Sequence, residues 1–207
     1  ITTGGTIAAR SVSGRAATMS GNAADIVDAA PHLAEVADIT LSDALARFSA
    51  SIGLQDLATI AKAIEAEEDA DGIVITHGTD TLEETAFALE LMAPRRAPVV
   101  LTGAMRRFDQ PGSDGEANLE SAGLTALSPL SRDRGVLVAM ADEIHWGPLV
   151  RKTHAFRPHA FSSAPFGPIG WVAERVVRYA LRPDITFPRL NIGDRTPVVP
   201  ILEAGPG

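Results

Sequence analysis

Four short apolar runs, near Ile1 to Thr3, Gly72 to Thr76, Ala97 to Thr102 and Gly135 to Met140, alternate with longer stretches of helical periodicity. Runs this apolar have no polar face to turn to water, so each must be covered on both sides. The alternation predicts βαβ units, hence an α/β fold with a mostly parallel, twisted sheet and helices on both faces, Rossmann-like or flavodoxin-like. In residues 54–65, the positions Leu54, Leu57, Ala61 and Ile64 mark one face of an amphipathic helix. Leu82, Ala86, Leu89, Leu91 and Met92 mark a second, ended by Pro94, and residues 117–127 a third, ended near Pro129.

After Trp146 the pattern becomes turn-rich, with Pro148, Pro158, Pro165 and Pro168. A β-hairpin carrying Lys152 is expected there, followed by a strand region from Trp171 to Leu181. Residues 184–197 read as a linker and the run from Val198 to Leu202 as a beginning strand. The expected division is a main domain over residues 1–183, then over 184–207 a linker and the start of a second domain. Residues 9–24, rich in Ser, Gly, Ala and Asn and directly following a Gly-Gly-Thr turn, are a candidate lid.

With 207 residues, 45% of them hydrophobic, the chain can bury a full core. Its 26 acidic against 18 basic residues give a net charge of −8, which opposes phosphate backbones and anionic membrane surfaces. A small molecule is the expected partner, with neither nucleic acid nor membrane. The longest apolar runs fall short of the roughly 20 residues that span a bilayer. No cysteine is present, which excludes disulfides, thiolate nucleophiles and cysteine-based zinc sites. Because the chain opens at Ile1 without a methionine, its upstream boundary is expected to be cut.

Chemistry concentrates at two strand ends. Residues 72–85 run from an apolar strand into His77-Gly78-Thr79-Asp80-Thr81, where a hydroxyl and a carboxylate stand side by side before a helix. Thr2-Thr3-Gly4-Gly5-Thr6-Ile7 has the same design, an extended start, two glycines for a tight turn and then a hydroxyl. In an open parallel sheet such ends share one crevice, so Thr6, Thr79 and Asp80 can meet there and work on a small polar substrate. A plainer reading competes: Asp80 with Glu83, and Thr81 with Glu84, fit helix capping boxes worth about 1 kcal/mol. Lys152 alone would be an ordinary strand lysine, since a lysine accepts protons near neutrality only where burial disfavours its charge. His77 reads as a structural histidine, and His145, His154 and His159 show no metal-ligand spacing.

Taken in order, these segments resemble the bacterial-type L-asparaginases, the asparaginase/glutaminase family. The likeness continues in residues 99–106 (Val-Val-Leu-Thr-Gly-Ala-Met-Arg), 113–119 (Ser-Asp-Gly-Glu-Ala-Asn-Leu), 135–138 (Gly-Val-Leu-Val) and 150–153 (Val-Arg-Lys-Thr). It implies hydrolysis of the side-chain amide of L-asparagine to aspartate and ammonia, with glutamine a weaker substrate and no cofactor or metal. Under it Thr6 is the nucleophile, and Thr79, Asp80 and Lys152 form a triad in which Lys152 accepts the proton and Asp80 orients it. Substrate contacts fall to Gln55, Asp80, Thr79 and the backbone near Ala104.

The resemblance also implies a homo-oligomer, dimer or tetramer, where the C-terminal domain is present; a cytoplasmic location is expected, with the periplasm as the alternative because the N-terminus is expected to be cut. Three departures stand out. Leu54 occupies the place of a substrate-binding serine, so Ser51 or a neighbour would have to replace it. The family's lid tyrosine has no counterpart, Tyr179 being the one tyrosine in the chain. The smaller C-terminal domain, which lends a glutamate to a neighbouring subunit's site, would begin where the sequence stops at Gly207. The missing lid tyrosine and C-terminal domain support the rival expectation of an impaired fragment or amino-acid-binding module.

Overall fold

The computed structural model describes residues 1–4, 9–10, 18–19, 31–94 and 96–190. The strands are β1 (Thr2–Gly4), β2 (Ala9–Arg10), β3 (Thr18–Met19), β4 (Asp43–Arg47), β5 (Ile73–Thr76), β6 (Val99–Thr102), β7 (Val136–Met140), β8 (Glu143–Trp146), β9 (Arg151–Lys152), β10 (Phe161–Ser162), β11 (Gly170–Ala173) and β12 (Val176–Tyr179). The helices are α1 (Pro31–Ala34), α2 (Leu54–Ala66), α3 (Leu82–Met92) and α4 (Gly115–Leu127).

Eight strands form one sheet in the order β12-β11-β8-β7-β6-β5-β1-β4. From β4 to β7 all neighbours are parallel, and from β7 to β12 all are antiparallel. This is the expected mixed but mostly parallel α/β sheet. Alternation along each central strand divides its side chains between two faces. Ile73, Ile75, Val99, Leu101, Val136, Val138 and Met140 meet α2 and α3 through Ile60, Ile64, Leu82, Ala86 and Leu89. Val100, Leu137 and Ala139 meet α4 through Ala122 and Ala126 on the other face.

The parallel strands alone read 4-1-5-6-7 across the sheet. From β1 the chain goes out to the edge strand β4, then crosses back over β1 to β5 and continues the other way. The carboxyl ends of β1 and β5 therefore flank the point where the winding reverses, the crevice where open α/β sheets bind ligands.

The three expected helices are present, the third starting two residues early at Gly115. The hairpin carrying Lys152 is β9–β10, and the expected later strand region is the β11–β12 hairpin. Within the eight-stranded sheet, β4 and β8 are strands that the sequence reading does not contain. Of the candidate lid, Ala9–Arg10 and Thr18–Met19 pair antiparallel, and the rest lies outside the described residues, as does the run from Val198 to Leu202. Among the described residues no helix is long and apolar enough to cross a membrane.

Close packing across the sheet makes one glycine a sharp test. A Cβ on Gly72 would lie 2.4 Å from the Ala126 carbonyl oxygen at the end of α4. Backbone cannot step aside as a flexible side chain can, so Gly72→Ala should destabilise the fold by about 1–3 kcal/mol in urea unfolding. An unchanged midpoint would contradict this packing.

Candidate active site

β5 ends at Thr76, and residues 77–80 turn across the carboxyl edge of the sheet into α3. The turn is tied to both neighbours. His77 N–H donates to Thr102 O at 2.8 Å, and Thr3 Oγ1 donates to Thr76 O at 2.9 Å. After β6 the chain passes so close that a Cβ on Gly103 would sit 2.5 Å from His77 O and 3.3 Å from Thr79 Cγ2. Gly103 is thus required by close approach, and the following Ala104 is fully buried.

His77 is itself fully buried, with Nδ1 2.7 Å from Gly78 O and Nε2 3.0 Å from Thr85 Oγ1. Since a carbonyl only accepts, Nδ1 carries the proton and Nε2 accepts from the threonine. Burial pushes its pKa down to about 4, outweighing the carbonyl contact. The ring is therefore a neutral brace under the Gly78-Thr79 turn.

Lys152 reaches this turn from β9. Its Nζ lies 2.9 Å from Thr79 Oγ1 and 2.7 Å from Asp80 Oδ1. The side chains of Lys152 and Asp80 are 15% and 67% exposed, so the amine is enclosed while the carboxylate opens to solvent. Thr79 is buried. Of the four expected catalytic residues, Lys152 is thus within hydrogen-bond reach of both Thr79 and Asp80, the latter 72 residues away in sequence. Thr6 lies outside the described residues.

The capping boxes expected at the start of α3 do not form. Thr81 is the N-cap and makes no side-chain cap bond. Its Oγ1 donates instead to Ser49 O at 2.8 Å, while Asp80 N–H donates to Ser49 Oγ at 3.2 Å. Glu83 turns away from the cap and accepts from the backbone N–H of Lys152. Tertiary partners offered by the Ser49 loop and by β9 outcompete the local closure.

Ser49, buried and absent from the sequence expectations, thereby joins the Asp80 turn to the segment leading into α2. Gln55, in the first turn of α2, is carried on that segment and exposed. Amides near Ala104, expected to be available to a substrate anion, are in part committed: Met105 and Arg106 N–H both donate to Asp114, at 3.0 and 2.9 Å. Asn118 completes this bracket, donating to Gly103 O and Asp114 Oδ2 at 3.0 Å each and accepting from Ala141 N–H at 2.9 Å. The 113–119 motif thus braces the loop packed on Thr79.

His145 on β8 is buried, with Nδ1 2.9 Å from Ser163 Oγ. Its Nε2 is 3.3 Å from Glu143 Oε2 without hydrogen-bond alignment. Burial lowers its pKa to about 4. Among the described residues no group of three or more His, Asp or Glu is placed to hold a metal.

Both rings are neutral when folded and bind protons in the unfolded chain below about pH 6.5. Between that pH and about 4 the unfolded state holds more protons, so stability falls as pH falls. Each ring should cost about 3 kcal/mol by pH 4. Urea titrations from pH 7 to 4.5 should show a steady loss beginning near 6.5, and a flat profile down to pH 5 would contradict the buried neutral rings.

Residues 1–184 match the family model described as "Asparaginase, N-terminal". L-asparaginase 2 of Escherichia coli K12 is 37% identical over 195 residues, covering 88% of this chain and 54% of that protein. A glutamyl-tRNA(Gln) amidotransferase subunit of Methanosarcina barkeri is 37% identical over 194 residues, covering 90% and 45%. The chain spans about half the length of the curated relatives it matches. Among solved structures, a probable cytoplasmic L-asparaginase from Campylobacter jejuni superposes with a TM-score of 0.84 at 34% identity, over 91% of this chain and 59% of that one.

Proposed function

Because the chain belongs to the asparaginase family, we propose that it forms the catalytic part of an amidohydrolase converting L-asparagine to L-aspartate and ammonia. The observation that carries this reading is the Lys152 amine, held at 2.9 Å from Thr79 Oγ1 and 2.7 Å from Asp80 Oδ1 at the winding reversal of the sheet. A hydroxyl becomes reactive when a base takes its proton, and an enclosed amine beside a partly solvated carboxylate supplies that base with its orienting group.

In the proposed sequence Thr6 Oγ1 bonds to the side-chain amide carbon, and ammonia departs carrying the hydroxyl proton. Water then cleaves the threonine ester, releasing aspartate and restoring the hydroxyl. Lys152, acting on Thr79 and oriented by Asp80, is the proton acceptor of the relay. The α-ammonium group of the substrate pairs with Asp80, with Gln55 beside it, and backbone amides of the Thr79 turn face the developing oxyanion. No cofactor enters the proposal. Glutamine, one methylene longer, differs by only about 1–3 kcal/mol in such a pocket and is the weaker substrate. A homo-oligomer, dimer or tetramer, is the proposed assembly, and the cytoplasm its proposed location. Among the relatives, an amidotransferase role would require contact with tRNA, which the net charge of −8 opposes.

Purified intact protein should release ammonia from L-asparagine, and Thr79→Ala or Lys152→Met should each lower kcat by at least about 100-fold, as loss of a positioned acid–base group does. Thr6→Ala should do the same. Undiminished release by Thr79→Ala or Lys152→Met would overturn the assignment. Binding of aspartate with no turnover by the unaltered protein would favour an amino-acid-binding module instead.

A further inference from the structure

We propose that Glu83 is a positioning residue, fixing the main chain of Lys152 so that its amine reaches Thr79 and Asp80; this rests on the proposed role of Lys152 as proton acceptor. The strand that carries the lysine is poorly anchored by its own sheet. β9 is two residues long and pairs with β10 alone, outside the eight-stranded sheet. Lys152 lies opposite Phe161, and the hairpin closes with Thr153 N–H donating to Ala160 O at 2.7 Å. The Lys152 N–H is taken by the Glu83 carboxylate, 69 residues away.

Glu83 stands one helical turn after Asp80, in the first turn of α3. Lys152 is therefore held twice by the same turn: its amine by Thr79 and Asp80, its amide by Glu83. Two attachments to one rigid element leave the side chain little freedom to drift. The carboxylate is available because Ser49, rather than Glu83, receives the Asp80 amide. Arg151 approaches the other oxygen, Nε to Oε1 at 3.8 Å, from the solvent side. Geometry, not charge, is the proposed contribution: a glutamine would reach the same N–H, whereas an aspartate would fall short by one methylene.

The chain has only two lysines, Lys62 and Lys152, which makes the position of Lys152 readable without activity. Lys62 is exposed on α2 and serves as the internal reference for amine acylation followed by peptide mass spectrometry. Glu83→Ala and Glu83→Asp should each raise Lys152 labelling relative to Lys62 by at least about fivefold, by releasing the local structure. They should lower kcat on L-asparagine about 10- to 100-fold, the scale of a misplaced catalytic group, with KM within about threefold. Glu83→Gln should return both readouts to within about threefold of the unaltered protein.

A labelling ratio unmoved in Glu83→Asp, or rescue by Asp but not by Gln, would overturn the proposal. Should Glu83→Ala fail to fold, the Asp and Gln pair decides alone. If the unaltered protein releases no ammonia, the functional reading fails while the labelling ratios still decide on the tether.

Discussion

Burial of the central strands on both faces is the constraint from which the rest follows. β5, β6 and β7 have apolar side chains above and below, and the parallel neighbours β5, β6 and β7 are joined by crossover helices, while β7 turns directly into antiparallel β8. Every parallel strand then empties at the same edge of the sheet. With β1 placed between β4 and β5, that edge contains a winding reversal, and the polar residues gather there. A packed scaffold thereby holds Thr79 and Asp80 where their backbone is supported from beneath, by the neutral ring of His77 and the missing Cβ of Gly103.

Onto this fixed turn the β9–β10 hairpin delivers one cation. A surface ion pair between flexible side chains would be worth little. Here the amine is enclosed, makes two hydrogen bonds at once, and hangs from a main chain bonded to the same helix. The arrangement owes its definition to the number of attachments converging on one helical turn. Ser49 contributes from a third direction, occupying the cap positions that would otherwise draw Glu83 back onto Asp80.

Much of this was legible in the sequence, and unevenly so. The buried parallel strands and the three long helices announce themselves because fully buried strands read as continuous apolar runs and amphipathic helices as a 3.6-residue period. β4 does not, because Asp43–Arg47 is an edge strand with a mostly exposed face and no apolar run to mark it. β8 is hidden by Glu143, which is partly exposed, and by His145, a polar residue that the fold buries against Ser163. Thr79, Asp80 and Lys152 were legible through ordered motifs, and no local period could have linked them over 72 residues. Glu83 and Ser49 were not read as parts of the site. A carboxylate in the first turn of a helix has the spacing of a cap, and only the third dimension shows that its partner is a strand far along the chain. Asp114 and Asn118 were seen as a motif without a mechanism, which the bracket around Gly103 supplies.

The most direct measurement is a crystal structure of the protein grown with L-aspartate, the proposed product. The account predicts aspartate at the carboxyl edge between β1 and β5, its α-ammonium group on Asp80, its side-chain carboxylate against Thr79 Oγ1, and Lys152 Nζ still within hydrogen-bond reach of that oxygen. Aspartate bound elsewhere, or a Lys152 amine swung out of reach of Thr79 with the ligand in place, would contradict it.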